Sequence, residues 1–295
     1  GSFHLLDLYY DEGSEESVFD GWFAAMQIKP RAMEKISGYS SWYNRYQNID
    51  EQAIMQDLAG CRTILKEGDL FQIDDGWQWK YTYDPANVVN GKRRFSDDFW
   101  FIHEERFPNG LKYISDYAAK KGVKLGIWFE PEMISPDSDL YRAHPDWALT
   151  DDLPPVYGRN ELLLDLTQPQ VRDYIVQSVT EILDNANISY VKWDMNRHSI
   201  ALGSKAHDFV LGLYEVLERI FTPRPEILLE SCSSGGNRFD LGMLCFGPQV
   251  WCSDNTDPIS RLEIQGNLSY LYPQSAFGAH VSAAPHAQTL RNTPL

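Results

Sequence analysis

Basic residues are in short supply: 26 Lys and Arg stand against 42 Asp and Glu, for a net charge of −16 over 295 residues. Phosphate binding needs clustered Lys and Arg, so nucleic acid is excluded as the expected partner. Long apolar runs are missing as well. None approaches the roughly 18 residues of a membrane span, and the first residues carry no charged-then-apolar leader, so no membrane partner and a cytoplasmic location are expected. Four cysteines (Cys61, Cys232, Cys245, Cys252) are too few for a disulfide framework in a chain of this length. No C-x-x-C, H-x-H or H-E-x-x-H spacing is present, which leaves no expected metal and no expected cofactor. Assembly of identical chains stays open.

Apolar and aromatic residues, in contrast, are plentiful, at 43% and 13% of the chain. Short β-branched or aromatic runs alternate with amphipathic stretches, the pattern of βα units around a parallel sheet. Seven such runs occur: 38–46 (GYSSWYNRY), 70–75 (LFQIDD), 123–129 (VKLGIWF), 188–194 (ISYVKWD), 226–231 (EILLES), 249–254 (QVWCSD) and 276–282 (AFGAHVS). Asn48 with Glu51 reads as a capping box opening the first intervening helix. The stretches 79–107 and 137–162 interrupt the rhythm after strands, where barrel proteins carry binding loops.

Carboxylates gather at the ends of these runs: Asp74 and Asp75, Glu130 and Glu132, Asp194, Glu230, Asp254 and Asp257. Helix capping accounts for one or two acids in such places, and five strand ends together call for more. In YVKWDMN, strand alternation sets Lys192, Asp194 and Asn196 on one face and Val191, Trp193 and Met195 on the other. The apolar set must be buried, which turns Lys192 and Asp194 into the mouth, where the ammonium favours an ionised, nucleophilic carboxylate. Replacing Lys192 by Met is then expected to impair catalysis more than stability. In VWCSDNTD, Asp254 beside Trp251 and Cys252 suits a general acid with a raised pKa, while Asp254 or Asp257 could equally cap the helix that begins near Pro258. His198, His280 and His286 are read as satisfied polar residues.

The motifs IDDGW (73–77), WFEPEMISPDSDLYRAHPDWAL (128–149), VKWDMNRH (191–198), ESCSSGG (230–236), WCSDNTD (251–257) and GAHVSAAP (278–285) together resemble glycoside hydrolase family 36, the bacterial α-galactosidases. That resemblance implies a (β/α)8 TIM barrel over residues 37–295, with 1–36 as a connecting segment from the end of an upstream β domain. It implies a retaining, cofactor-free enzyme releasing terminal α-galactose from oligosaccharides such as raffinose or melibiose. Asp194 then matches the nucleophile and Asp254 the acid/base. Asp74 and Asp75 match the carboxylates that hold galactose hydroxyls, and Trp42, Trp100, Arg159, Lys192, Asn196, Cys232, Gly235 and Trp251 match further sugar-pocket positions. Ser231, Ser234 and Asn237 depart from the family's usual glycine-rich run, which leaves an α-N-acetylgalactosaminidase as the alternative, beside a non-catalytic galactose-binding barrel. The eighth barrel strand is not found among the seven runs, and 3–10 (FHLLDLYY) is the only internal candidate for it.

Overall fold

In the computed structural model, which describes residues 10, 12–25, 36–78, 88–89, 92–93, 102–136, 138–150, 155–158, 161–197 and 200–292, six short strands pair side by side in chain order. They are β1 (Gly38–Ser40), β2 (Leu70–Ile73), β3 (Lys124–Phe129), β4 (Ile188–Trp193), β5 (Leu228–Ser231) and β6 (Gln249–Val250). Every pairing is parallel. The architecture is α/β, a parallel half-barrel sheet with helices between its strands. Of the seventh run, only Phe277 joins, through an isolated parallel bridge to Val250.

Parallel strands buried on both faces read as near-continuous apolar runs, and LFQI and KLGIWF do. The register sets the site: Lys192 lies level with Trp128 on one side and Glu230 on the other. Side chains that the sequence separates by tens of residues are thereby brought to one height.

The helices follow their apolar stripes. In Ala206–Phe221 (AHDFVLGLYEVLERIF), Phe209, Leu213, Val216, Leu217 and Ile220 recur at helical spacing and are buried. Each such side chain contributes roughly 1.5–3 kcal/mol on leaving water. Pro169 opens Pro169–Asn185, whose Val171, Ile175, Val179 and Leu183 face the same core. Among the described residues no helix is long and apolar enough to cross a membrane.

Three local expectations are corrected. The helix Glu51–Gly60 is capped by Asp50, whose side chain accepts from Ala53 N. Asn48 is not its cap, because Glu51 turns away to accept from the backbone N and Nδ2 of Asn109 at 2.9 and 2.7 Å. The first run is a strand only over Gly38–Ser40. After Ser41 N donates to Gln72 O, the chain leaves the ladder for a helical turn, Trp42–Arg45, tied down by Arg45 to Asp57. The stretch 137–162 is not a bare loop. It carries the helix Asp139–Ala143, and Leu162–Leu163 pairs back on Met133–Ile134. Most of 3–10 and of 79–107 lies outside the described residues.

Candidate active site

At the carboxyl end of β4, Asp194 is a buried carboxylate ringed by donors. Oδ2 accepts from Trp128 Nε1 at 3.1 Å and Asn196 Nδ2 at 2.7 Å, and Oδ1 from the backbone amides of Met195 at 2.8 Å and Ser234 at 3.4 Å. Burial alone would raise its pKa. The Lys192 charge and the hydrogen bonds from Trp128, Asn196 and Cys232 outweigh burial and hold it below the ordinary aspartate value. The ionised form is the stable one.

Asn196 is itself fixed. Its backbone N donates to Glu130 Oε1 at 2.5 Å, and its Oδ1 accepts from Ser234 Oγ at 3.1 Å. Behind it, Glu132 accepts from Trp193 Nε1 and from Arg238 Nη1, both at 2.8 Å. Asn196 thus joins the carboxylates of Glu130 and Asp194.

Asp254 follows β6 at the rim and remains exposed. Trp251 Nε1 donates to its Oδ1 at 3.0 Å, and Tyr43 OH to its carbonyl at 3.5 Å. Partial desolvation of the carboxyl comes first, and the negative charge of Asp194 adds to it, so its pKa is raised despite Lys192 and the Trp251 hydrogen bond. Two aspartates thus sit in environments that push their pKa values in opposite directions. Asp257, not Asp254, caps the following helix, accepting from Ile259 and Ser260 N at 3.1 Å.

At the end of β2, Asp74 accepts from Lys192 Nζ at 3.0 Å, Gln72 Nε2 at 3.1 Å and Asp75 N at 2.9 Å. Asp75 accepts from Gln78 Nε2 at 2.7 Å and Gln47 Nε2 at 3.2 Å. Lys192 also lies 5.6 Å from the centre of the Trp251 ring. The strand alternation correctly placed Lys192, Asp194 and Asn196 together while Val191 and Trp193 enter the core.

Against the expectation that replacing Lys192 by Met impairs catalysis more than stability, this pairing predicts a substantial stability loss as well. Lys192 and Asp74 are 10% and 3% exposed at the side chain, and deleting one partner of a buried pair costs about 3–5 kcal/mol because the other is left uncompensated. Lys192→Met is expected to lower the melting temperature by roughly 6–20 °C at about 2–4 °C per kcal/mol, with most of the loss recovered in Lys192→Met/Asp74→Asn. Thermal denaturation of the three variants checks it, and an unchanged melting temperature in the single variant refutes it.

Glycine does steric work in the loop after β5. Gly235 has φ +89°, and a Cβ there would lie 2.8 Å from Ser253 Cα. The loop after β5 can lie against the Asp254 loop only without that side chain. Cys232, at the base of the loop, is buried, and burial with the Asp194 charge pushes its thiol well up. Trp42 is half-buried and stacks edge-on to Tyr46, 5.4 Å between centres. Tyr43, its neighbour, reaches Asp254, Trp251 and His280. Trp100, Arg159 and His198 lie outside the described residues. Three contributors were not singled out from sequence: Trp128, visible only as one of many aromatics at strand ends, Tyr43, hidden in an apparent strand, and Ser234, noted only as a departure from a glycine run.

Comparison with known proteins gives one answer. A family model described as Melibiase matches residues 34–295. The bifunctional alpha-galactosidase/sucrose kinase AgaSK of Mediterraneibacter gnavus is 46% identical over 86% of this chain and 26% of its own length. Alpha-galactosidase AgaA of Geobacillus stearothermophilus is 43% identical over 85% of this chain and 35% of its own. A crystal structure of a GH36 AgaA variant in complex with stachyose superposes with a TM-score of 0.84 and 37% identity, covering 97% of this chain and 40% of that one. The chain thus spans about a quarter to two fifths of the length of these relatives.

Proposed function

Because this chain belongs to the Melibiase family, we propose that it carries the catalytic centre of a retaining α-galactosidase acting on oligosaccharides that end in α-linked galactose. The observation that carries the reading is the pair of aspartates with opposed pKa shifts, Asp194 lowered and Asp254 raised, at the ends of β4 and β6.

Asp194, ionised and aimed by Trp128 and Asn196, attacks the anomeric carbon, while Asp254 gives its proton to the leaving oxygen. The bond to the aglycone breaks as a β-linked galactosyl ester forms on Asp194. Asp254, now ionised, takes a proton from water, which attacks the same carbon and frees Asp194. Asp74 and Asp75, anchored by Lys192 and by Gln78 and Gln47, accept from galactose hydroxyls. Asn196, Lys192, Cys232, Trp251 and the Gly235 backbone line the remaining pocket, with Trp42, Trp100 and Arg159 as further sugar contacts. The AgaA complex with stachyose supports an α-galactosyl oligosaccharide as substrate.

The fold reading that accompanies this is a (β/α)8 barrel over 37–295. A groove of about 850 Å³ is lined by Gly38 and Tyr39 of β1 and by Phe277, His280 and Val281, and a closed barrel would place its further strand there.

Two successive inversions give net retention, so the first-formed sugar is expected to be α-galactose, seen by proton NMR before mutarotation, and β-galactose at that point would falsify the double displacement. In the same assay the 4-nitrophenyl α-galactoside is expected to turn over well ahead of the corresponding N-acetylgalactosaminide. Reversal of that order would move the assignment to the acetamido sugar.

A further inference from the structure

Asp254 sits in a loop whose other members are bound from outside. The segment after Pro285 folds into a closed turn, His286 N donating to Arg291 O at 2.9 Å and Leu290 N to His286 O at 2.8 Å. This turn grips the acid/base loop at two points. Thr289 Oγ1 donates to Asp257 Oδ2 at 2.7 Å and Arg291 Nε to the same oxygen at 2.9 Å, which completes a fully buried carboxylate already holding two helix amides. One residue earlier, Thr256 Oγ1 meets His286 Nε2 at 2.9 Å, both residues being buried. His286 Nδ1 accepts from Gln288 N at 3.3 Å and Thr289 N at 3.2 Å, which makes Nε2–H the donor to Thr256. Ser282 Oγ adds a third tie, to Thr256 O at 3.2 Å.

Inside the loop the bonds run back toward the aspartate: Asp257 N donates to Asn255 Oδ1 and Asn255 N to Ser253 Oγ, each at 3.1 Å. No side chain of the turn is in hydrogen-bond contact with Asp254 among the described residues. Its effect must pass through the loop.

From this geometry we infer that His286, Thr289 and Arg291 are positioning residues that hold Asp254 at the height where it can reach the leaving-group oxygen. The inference rests on Asp254 as acid/base. Thr289 supplies a hydroxyl that Val matches in shape and lacks in hydrogen bonding, and a displacement of about 1 Å at a catalytic group costs on the order of 10²-fold in rate.

Leaving-group dependence separates this role from a purely structural one. Proton donation matters for a poor leaving group such as a sugar and little for a dinitrophenolate, which departs unprotonated. In the full chain, Thr289→Val is expected to lower kcat/KM, which reports the first step, on raffinose by about 10–100-fold and on 2,4-dinitrophenyl α-galactoside by less than about 3-fold, with Thr289→Ser restoring both. Arg291→Gln, at a half-exposed side chain, is expected to show the same split at smaller size. Asp254→Ala is the reference. If Asp254→Ala shows the split and Thr289→Val and Arg291→Gln lose activity equally on both substrates, or on neither, the positioning role is overturned. If Asp254→Ala itself shows no split, the acid/base reading fails and the positioning role with it.

Discussion

Asp194→Gly is expected to lose turnover of α-galactosides by roughly 10⁴-fold or more, the scale on which nucleophile removal acts when the rest of a site survives. The cavity left by the carboxylate admits a small anion. Trp128 Nε1, Asn196 Nδ2 and the amides of Met195 and Ser234 all remain in place as donors, and azide there attacks the anomeric carbon directly. One inversion from an α-galactoside gives β-galactosyl azide. Isolation of the α-azide would remove Asp194 from the nucleophile's role. The variant is also expected to fold, since removing a buried charge together with its desolvation cost leaves Lys192 still paired with Asp74.

Asp254→Gly should fail in the opposite sense. With raffinose, kcat is expected to fall by about 10²–10⁴-fold, the usual contribution of a general acid/base. With an activated aryl galactoside the first step survives and the galactosyl ester on Asp194 accumulates. Azide then enters from the face that Asp254 has vacated, and the product is α-galactosyl azide. The pH profile adds a second reading. In the proposed mechanism Asp194 starts ionised and Asp254 protonated. Asp194 has its pKa lowered, so its requirement is met down to acid pH. The pKa of Asp254 is raised, so kcat/KM holds above the ordinary aspartate range and declines as pH rises through that raised value. Asp254→Asn should abolish this alkaline limb, and a limb that persists unchanged would belong to some other group.

How much of this could be read from the chain varies with the range of the interaction. Strand alternation needs only neighbours, and Lys192, Asp194 and Asn196 were placed on one face from seven letters. The opposite face could also be placed, because Val191 and Trp193 have nowhere to go except the core. Acids at strand ends marked Asp74, Asp75 and Asp254 for the same reason. Contacts across the sheet were not legible: nothing in VKLGIWF says that Trp128 will donate to a residue 66 positions later. The Lys192–Asp74 pair spans 118 positions, and nothing in the letters around Lys192 points to Asp74, so only its influence on Asp194 was foreseen. Local errors had local causes. The cap expected at Asn48 belongs to Asp50, two residues on, whose side chain reaches Ala53 N. In GYSSWYNRY, β-propensity outran the ladder, which ends where Ser41 turns to receive Asp74 N.

Synthesis on the ribosome meets the Asp257–Arg291 bond in a particular order. Asp257 emerges 34 residues before Arg291 and 32 before Thr289, a delay of about 2–7 s at about 5–20 residues per second. Over that interval the β1 to β6 pairings, Lys192 and Asp194 are all available, while Asp257 has only its helix amides and Thr256 has no imidazole to meet. The surroundings of Asp194 are thus complete before those of Asp254. A nascent chain halted between 257 and 286 would hold an ordered carboxylate at 194 beside a rim loop still free to move.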